Sequence, residues 1–261
     1  MSIEEAPRPG PVETRVETKA AEPAHAPPME PVRPRWRRWL GRGLRLLAGA
    51  TAIWLAVVLV LILLYSKLDP PFTTLTAAAY LTGEEVDQSW VPLTRISPHL
   101  VRAVIVSEDA GFCQHFGISV RELEQAIERA RDGVPRGAST LSMQVIKNLF
   151  LWPQRSYIRK AIELPLTVVM ELVLSKRRIV EIYLNIAEWG PGVYGVEAAA
   201  RHHFNKPAAR LTEAEAALLA VSLPSPLTRE PDRPGPGLQR LAKLIEARAR
   251  ANSKATACPG L

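Results

Sequence analysis

The sequence predicts a mainly α-helical domain behind a single membrane-spanning helix. Three observations predict it: an uncharged apolar run of 20 residues from Leu46 through Tyr65, a succession of helix starts followed by apolar residues three and four apart, and the lack of any convincing alternating strand pattern. With 261 residues the chain has room for one core of ordinary domain size plus segments outside it. Its 33 Lys and Arg outnumber its 26 Asp and Glu, and the net charge of +7 suits phosphates, anionic lipid headgroups or nucleic acid without choosing among them. Two cysteines, Cys113 and Cys258, are too few for a disulfide scaffold, lack zinc spacing, and leave the redox compartment open.

Read in order, the chain divides at 42, 65, 94 and 250. Residues 1–42 are rich in proline and charge and predict a disordered cytoplasmic tail, because too little apolar surface is present to offset the entropy of ordering. Residues 43–65 form the membrane helix. Trp36-Arg37-Arg38-Trp39, Arg42 and Arg45 lie on its N-terminal side and Lys67, Asp69, Pro70 and Pro71 on the other, so the positive-inside rule places residues 66–261 in the periplasm. A cleaved signal peptide is the alternative, but its apolar region is shorter and lies nearer the start. Residues 66–94 predict a connecting segment broken by Gly83 and Pro92, residues 95–250 the domain, and 251–261 a tail.

Within the domain, Ser97-Pro98 predicts a capped helix start, followed by Leu100, Val101, Val104 and Ile105 at helical spacing. Ser119 and Glu122 read as a capping box for a helix through Leu123, Ile127 and Ala130 that Gly133 ends. A third helix starts at Ser139 and a fourth near Ser156, which Pro165 should kink or break. Helical patterning resumes through Leu174, Tyr183 and Leu184. Thr212 and Glu215 then cap an alanine-rich helix that stops before Pro224.

Glu108 stands four residues after Val104 and eight after Leu100, which sets a carboxylate in the first helix's apolar stripe. Desolvation there raises its pKa toward the range of a general acid or base, although the segment alone also permits a carboxylate that merely ends a helix. Phe112 and His115 read as packing and hydrogen-bonding residues that shape the next turn.

Residues 108–117, EDAGFCQHFG, match ED-x-x-F-x-x-H-x-G at every fixed position. GASTLSMQVIKN at 137–148, RKAIE at 159–163, KRRIVEIYLN at 176–185 and GVYGVEAAARHHF at 192–204 come after it over about 100 residues. Together they resemble, in order, the five signatures of the family 51 peptidoglycan glycosyltransferases. One departure stands out: the second signature usually carries two glutamines, and here Met143 replaces the first while Gln144 remains, which bears on substrate affinity rather than reaction class.

The resemblance implies a lysozyme-like helical fold with a membrane-associated lobe. It implies an enzyme that transfers the growing glycan strand from undecaprenyl diphosphate to the 4-hydroxyl of the N-acetylglucosamine of lipid II, with inversion. Glu108 becomes the general base and Glu163 a second acidic residue that orients substrate or assists at the diphosphate. The matched positions also imply a substrate-binding set of Asp109, Phe112, His115, Gln144, Asn148, Arg159, Lys160 and Lys176, with Lys147 and Arg155 as the cations of the donor diphosphate. Ser139 and Thr140, at a helix start, are placed to meet phosphate.

Apart from the resemblance, Glu163 and Arg159 are four apart and fit an ion pair, Arg159 and Lys160 fit a solvated face, and Lys176-Arg177-Arg178 fits solvent or lipid headgroups. No metal site or required cofactor is indicated, though a divalent cation would be compatible with a diphosphate. The partners implied are lipid II, the lipid-linked strand, the bacterial inner membrane and separate transpeptidases, with no nucleic acid. No Ser-x-x-Lys, Ser-x-Asn and Lys-Thr-Gly set is present, so a cross-linking domain is not expected. Two other readings compete: a lysozyme-like glycan-cleaving enzyme, and a non-enzymatic cell-wall scaffold.

Overall fold

The structure, a computed structural model, describes residues 10, 35–120, 124, 128, 139–154, 156–252 and 258. The tail expected over 1–42 (all but its last few residues), the helix expected from the Ser119 and Glu122 capping box, and Arg155 lie largely or wholly outside the described residues. Contacts divide the chain into two compact units, Met1–Ala50 and Thr51–Leu261.

The apolar run belongs to helix α1 (Arg35–Tyr65), in which Trp39–Tyr65, 27 residues, is long and apolar enough to cross a membrane. At 1.5 Å per residue that stretch is about 40 Å long, more than a hydrocarbon core requires. Its last turns are part of the second unit's core: Val58 and Ile62 are buried, and the Tyr65 ring stacks on Phe150 with centroids 6.2 Å apart. Arg178 fastens this junction. Its guanidinium donates to the carbonyls of Tyr65 and Leu68, pairs with Asp69 and Glu181, and lies over the Trp90 ring. The expected headgroup-facing role of the basic cluster therefore does not hold for Arg178, which the fold consumes internally.

The expected connector at 66–94 contains structure of its own. Helix α2 (Thr74–Thr82) starts from a capping box between Thr73 and Thr76 and ends at Gly83, whose φ of 76° is left-handed. Strand β1 (Asp87–Gln88) comes next and runs parallel to β3 (Val193–Tyr194), which pairs antiparallel with β2 (Glu188–Gly190). Strands of two or three residues are too short to show a period, which is why the sequence hid them.

Helix α3 (Pro98–Glu108) begins with proline at its first turn as expected, but Ser97 does not cap it. The Ser97 hydroxyl donates instead to the Leu211 carbonyl at 2.9 Å. Leu100, Val104 and Ile105 are fully buried, and α3 packs on α8 (Glu213–Ser222) and α9 (Pro236–Ala251). Ala216, Ala217 and Ala220 of α8 are fully buried, and their small side chains allow close helix approach.

Helix α4 (Leu141–Phe150) lies against α5 (Tyr157–Val173) and α6 (Lys176–Ile186); α7 (Val196–Phe204) completes the fold. Thr140, Ser156 and Ser175 cap α4, α5 and α6 with their hydroxyls. The break expected at Pro165 is absent: α5 runs through it. Proline removes the bond to the Ala161 carbonyl, but both residues are on the exposed face, where water can satisfy that oxygen.

Tertiary structure also decides the cysteines. Cys113, five residues beyond Glu108, is disulfide-bonded to Cys258 across a separation of 145 residues, with Cα atoms 5.0 Å apart. The bond staples the turn after α3 to the chain beyond α9. Cys258→Ser is expected to lower stability by about 2–5 kcal/mol, because the unfolded chain regains the entropy of that closed loop. Thermal melting in detergent, with and without reductant, checks this. Parent protein should lose stability on reduction and the variant should be indifferent to it.

Candidate active site

Glu108 is the last residue of α3 and is part-buried. Its Oε2 accepts a hydrogen bond from Gln144 Nε2 at 3.0 Å, and Gln144 Oε1 accepts from the Tyr183 hydroxyl at 3.4 Å. Tyr183 is a fixed donor: burial, then the charge of Glu108, raise its pKa well above that of an ordinary phenol. The phenol therefore orients the amide so that its NH₂ end meets the carboxylate. Burial pushes the Glu108 carboxyl above the ordinary carboxylate range and Asp109 adds to the rise, against the Gln144 hydrogen bond and the charges of Lys147 and Arg229.

About two turns along α4 and one turn along α5 lies a group of cations, Lys147, Arg159 and Lys160. Lys147 is part-buried and has no hydrogen-bond or ion-pair partner among the described residues. Burial lowers its pKa, as do Arg159 and Lys160, while Glu163 and Glu108 oppose the shift. Glu163 is 1% exposed and both oxygens are engaged: Arg159 Nη1 and Lys160 Nζ each approach to 2.7 Å. The ion pair expected from the i,i+4 spacing is present. It is part of a triad that holds two cations beside Lys147. Lys160 also donates to Ser139 Oγ at 2.9 Å and lies 3.9 Å from Met143 Sδ.

Several signature residues shape this site from behind rather than line it. Asp109 is 1% exposed; its Oδ1 meets His115 Nε2 at 2.8 Å and its Oδ2 accepts from the Leu141 amide at 3.0 Å. Phe112 is fully buried. Lys176 lies 4.3 Å from that ring's centroid, pairs with Glu171 at 2.8 Å and donates to the His115 carbonyl. Thr140 is fully buried and its hydroxyl both caps α4 and donates to the Gly117 carbonyl at 2.6 Å, so the phosphate contact expected of that hydroxyl is not available. Asn148 is buried, and its main-chain carbonyl accepts from Thr74 Oγ1 at 2.8 Å. Gly117 has a φ of 80°, and a Cβ there would sit 2.9 Å from atoms of Glu171 and Thr167, so only glycine fits.

The model of the Transglycosylase family matches residues 75–252. The chain belongs to the transglycosylase family. It is similar to the biosynthetic peptidoglycan transglycosylase of Agrobacterium fabrum, 54% identical over 189 residues that cover 72% of this chain and 84% of that one. The protein of the same description from Rhizobium etli is 48% identical over 229 residues, 86% of this chain and 98% of its own. That from Brucella suis is 48% identical over 207 residues, 78% and 92% respectively.

Within this transglycosylase, the departure at Met143 is explained by position. Met143 is 2% exposed and turned toward Lys160, whereas Gln144 alone reaches Glu108. Sequence reasoning passed over Ser142 and Glu171, which hydrogen-bond to each other in the buried interface of α4 and α5 and hold Lys176. A carboxylate inside the apolar stretch Leu164–Leu174 was the available signal, since a buried acid needs a partner. Arg229 was passed over as well: its charge acts on Glu108 from the segment after α8, and nothing in the local pattern marks it.

Proposed function

We propose that this chain polymerises peptidoglycan glycan strands, with Glu108 as general base and Lys147 as a cation that receives the leaving diphosphate. One observation carries the reading: a desolvated carboxylate of raised pKa and a part-buried ammonium that has no partner among the described residues share one site and act on each other electrostatically. The Glu108 carboxylate takes the proton from the 4-hydroxyl of the acceptor's N-acetylglucosamine as that oxygen attacks the anomeric carbon of the donor strand. The bond from that carbon to the diphosphate oxygen breaks, the α-linkage inverts to β, and lipid diphosphate departs. Its negative charge grows during the step and is stabilised by Lys147 and the cations held beside it. Glu163 positions Arg159 and Lys160 on that side and does not itself attack.

The occupied carboxylates favour synthesis over cleavage. Hydrolases on related folds commonly set a second free carboxylate across the sugar. Here the neighbouring acids Asp109 and Glu163 have both oxygens bound. A part-buried cation without a partner among the described residues suits a diphosphate leaving group, whereas a neutral sugar has no use for one. Fluorescent lipid II incubated with the full chain in detergent tests the reading: glycan polymer is expected, and cleavage of preformed glycan without polymerisation would sink it.

The same reading places residues 66–261 on the outer side of the bacterial inner membrane, with separate transpeptidases cross-linking the strands. Two observations support the orientation: the basic flank precedes α1's apolar run, and the Cys113–Cys258 disulfide suits an oxidising compartment. A reporter fused at residue 30 is expected in the cytoplasm and one fused after Leu261 in the periplasm. The reverse labelling would refute this topology.

A further inference from the structure

A second cleft, of about 520 Å³, opens where α2 faces the small sheet. Its apolar wall comes from Leu75, Ala78 and Leu227, and its polar groups are Glu84, Glu85, Glu188 and Tyr194. The volume falls inside the range of roughly 300–1,000 Å³ typical of small-molecule sites. Both walls are pinned. Gly83 turns the chain sharply after α2, and the left-handed Gly192 lets the Glu85 carbonyl pass where a Cβ would come within 2.3 Å of it.

Tyr194 is only 3% exposed, yet its hydroxyl has no hydrogen-bond partner among the described residues. That hydroxyl is not sealed in protein, for it is not among the buried unpartnered polar atoms of the described residues. It is thus the part of a buried side chain that meets the cleft. Burial, then the charges of Glu188 and Glu84, push its pKa up to about 12, so it is a neutral hydroxyl between carboxylates. Glu188 is held above the ordinary carboxylate range by burial and by the charge of Glu84. None of the three glutamates has a cationic partner among the described residues, in a chain whose net charge is +7. A tyrosine that is buried except where its unpartnered hydroxyl opens on the cleft, beside a part-buried glutamate with no cation among the described residues and two exposed glutamates on the rim, points to a cationic ligand that the described residues do not supply.

From this arrangement we infer that the cleft binds a primary alkylammonium group, with the ammonium among Glu84, Glu188 and the Tyr194 hydroxyl and its methylene chain along Leu75, Ala78 and Leu227. A metal ion suits the geometry less well: among the described residues no three acidic, histidine or cysteine groups converge closely enough to hold one. Spread carboxylates over an apolar wall match instead a cation carried on a flexible apolar stem, whose three N–H donors satisfy two carboxylates and one hydroxyl. Such a group occurs in free polyamines and in the diamino-acid side chains of peptides.

Isothermal titration calorimetry on the full chain in detergent distinguishes the sources and tests the site. The probes are cadaverine, a lysine-containing tripeptide blocked at both ends, and pentanediol as the uncharged match for cadaverine. Saturable binding of either amine, with none of the diol, is expected, and whichever amine binds more tightly identifies the source. Glu188→Gln should weaken binding by about tenfold or more, as expected for loss of a charge-assisted hydrogen bond. Glu84→Gln, on the exposed rim where folding is not at stake, should weaken it severalfold, as should Tyr194→Phe. Binding does not depend on polymerisation, so Glu108→Gln should bind the amine like the parent. Absence of saturable binding by both amines, equal binding of the diol, or affinity unchanged in both Glu84→Gln and Glu188→Gln would overturn the assignment.

Discussion

Glu108→Gln is expected to reduce lipid II polymerisation by about 10²- to 10⁴-fold while leaving the fold intact, the range over which a positioned general base contributes. The amide keeps the shape of the carboxylate and can still accept from Gln144 Nε2, but it cannot take the acceptor's proton. Folding should not suffer, because burial disfavours the ionised carboxylate that the substitution removes. Initial rates with purified protein and a thermal melt on the same samples separate the two effects. The pH profile of kcat/KM adds a second check. Only the carboxylate is the active base, so activity falls as pH drops through the Glu108 pKa, and burial sets that limb above the ordinary carboxylate range. Near-parental turnover by the purified variant would end the assignment of Glu108.

Lys147→Ala carries the second large effect, expected to be on the order of 10²-fold in rate, comparable with losing one donor to a developing oxyanion. Lys147 is the cation near Glu108 without a protein partner among the described residues, whereas Arg159 and Lys160 are held by Glu163. The leaving oxygen gains its charge in the transition state, so kcat should fall more than KM rises. The basic limb reports on the same residue. Lys147 must be protonated to serve, and its pKa is lowered, so activity is lost as pH rises through a value below that of an ordinary lysine. In Lys147→Arg that limb should move to higher pH, since a guanidinium stays charged. Arg240→Ala, exposed on α9, is the control for general loss of positive charge and should leave turnover nearly unchanged. Equal rates in Lys147→Ala and Arg240→Ala would leave the basic charge with membrane attraction alone.

The sequence by itself determined the class and the chemistry of this protein. An uncharged run long enough to span a bilayer, helix starts marked by Ser156 and Thr212, and five ordered signatures are local features, and each is readable without knowing what folds against it; the start read at Ser139 falls one residue later, at the Thr140 cap. The Glu108 position on an apolar stripe belongs to the same kind, since helical geometry alone relates residues four apart.

What only the tertiary structure decided is which polar groups remain free. Asp109, Thr140, Glu163, Lys176 and Arg178 each have a chemistry-bearing side chain, and each is consumed by partners 3 to 113 residues away in the chain. Lys147, no different from them as a letter in a motif, is left unpaired among the described residues. The pairing of Cys113 with Cys258 was hidden for the same reason, since it depends on neighbours brought together by folding; the strands of two or three residues were too short to show a period, and α5 persists through Pro165 because the freed carbonyl faces solvent. Periodicity reports which face of an element is buried, but not which atom waits on the other side.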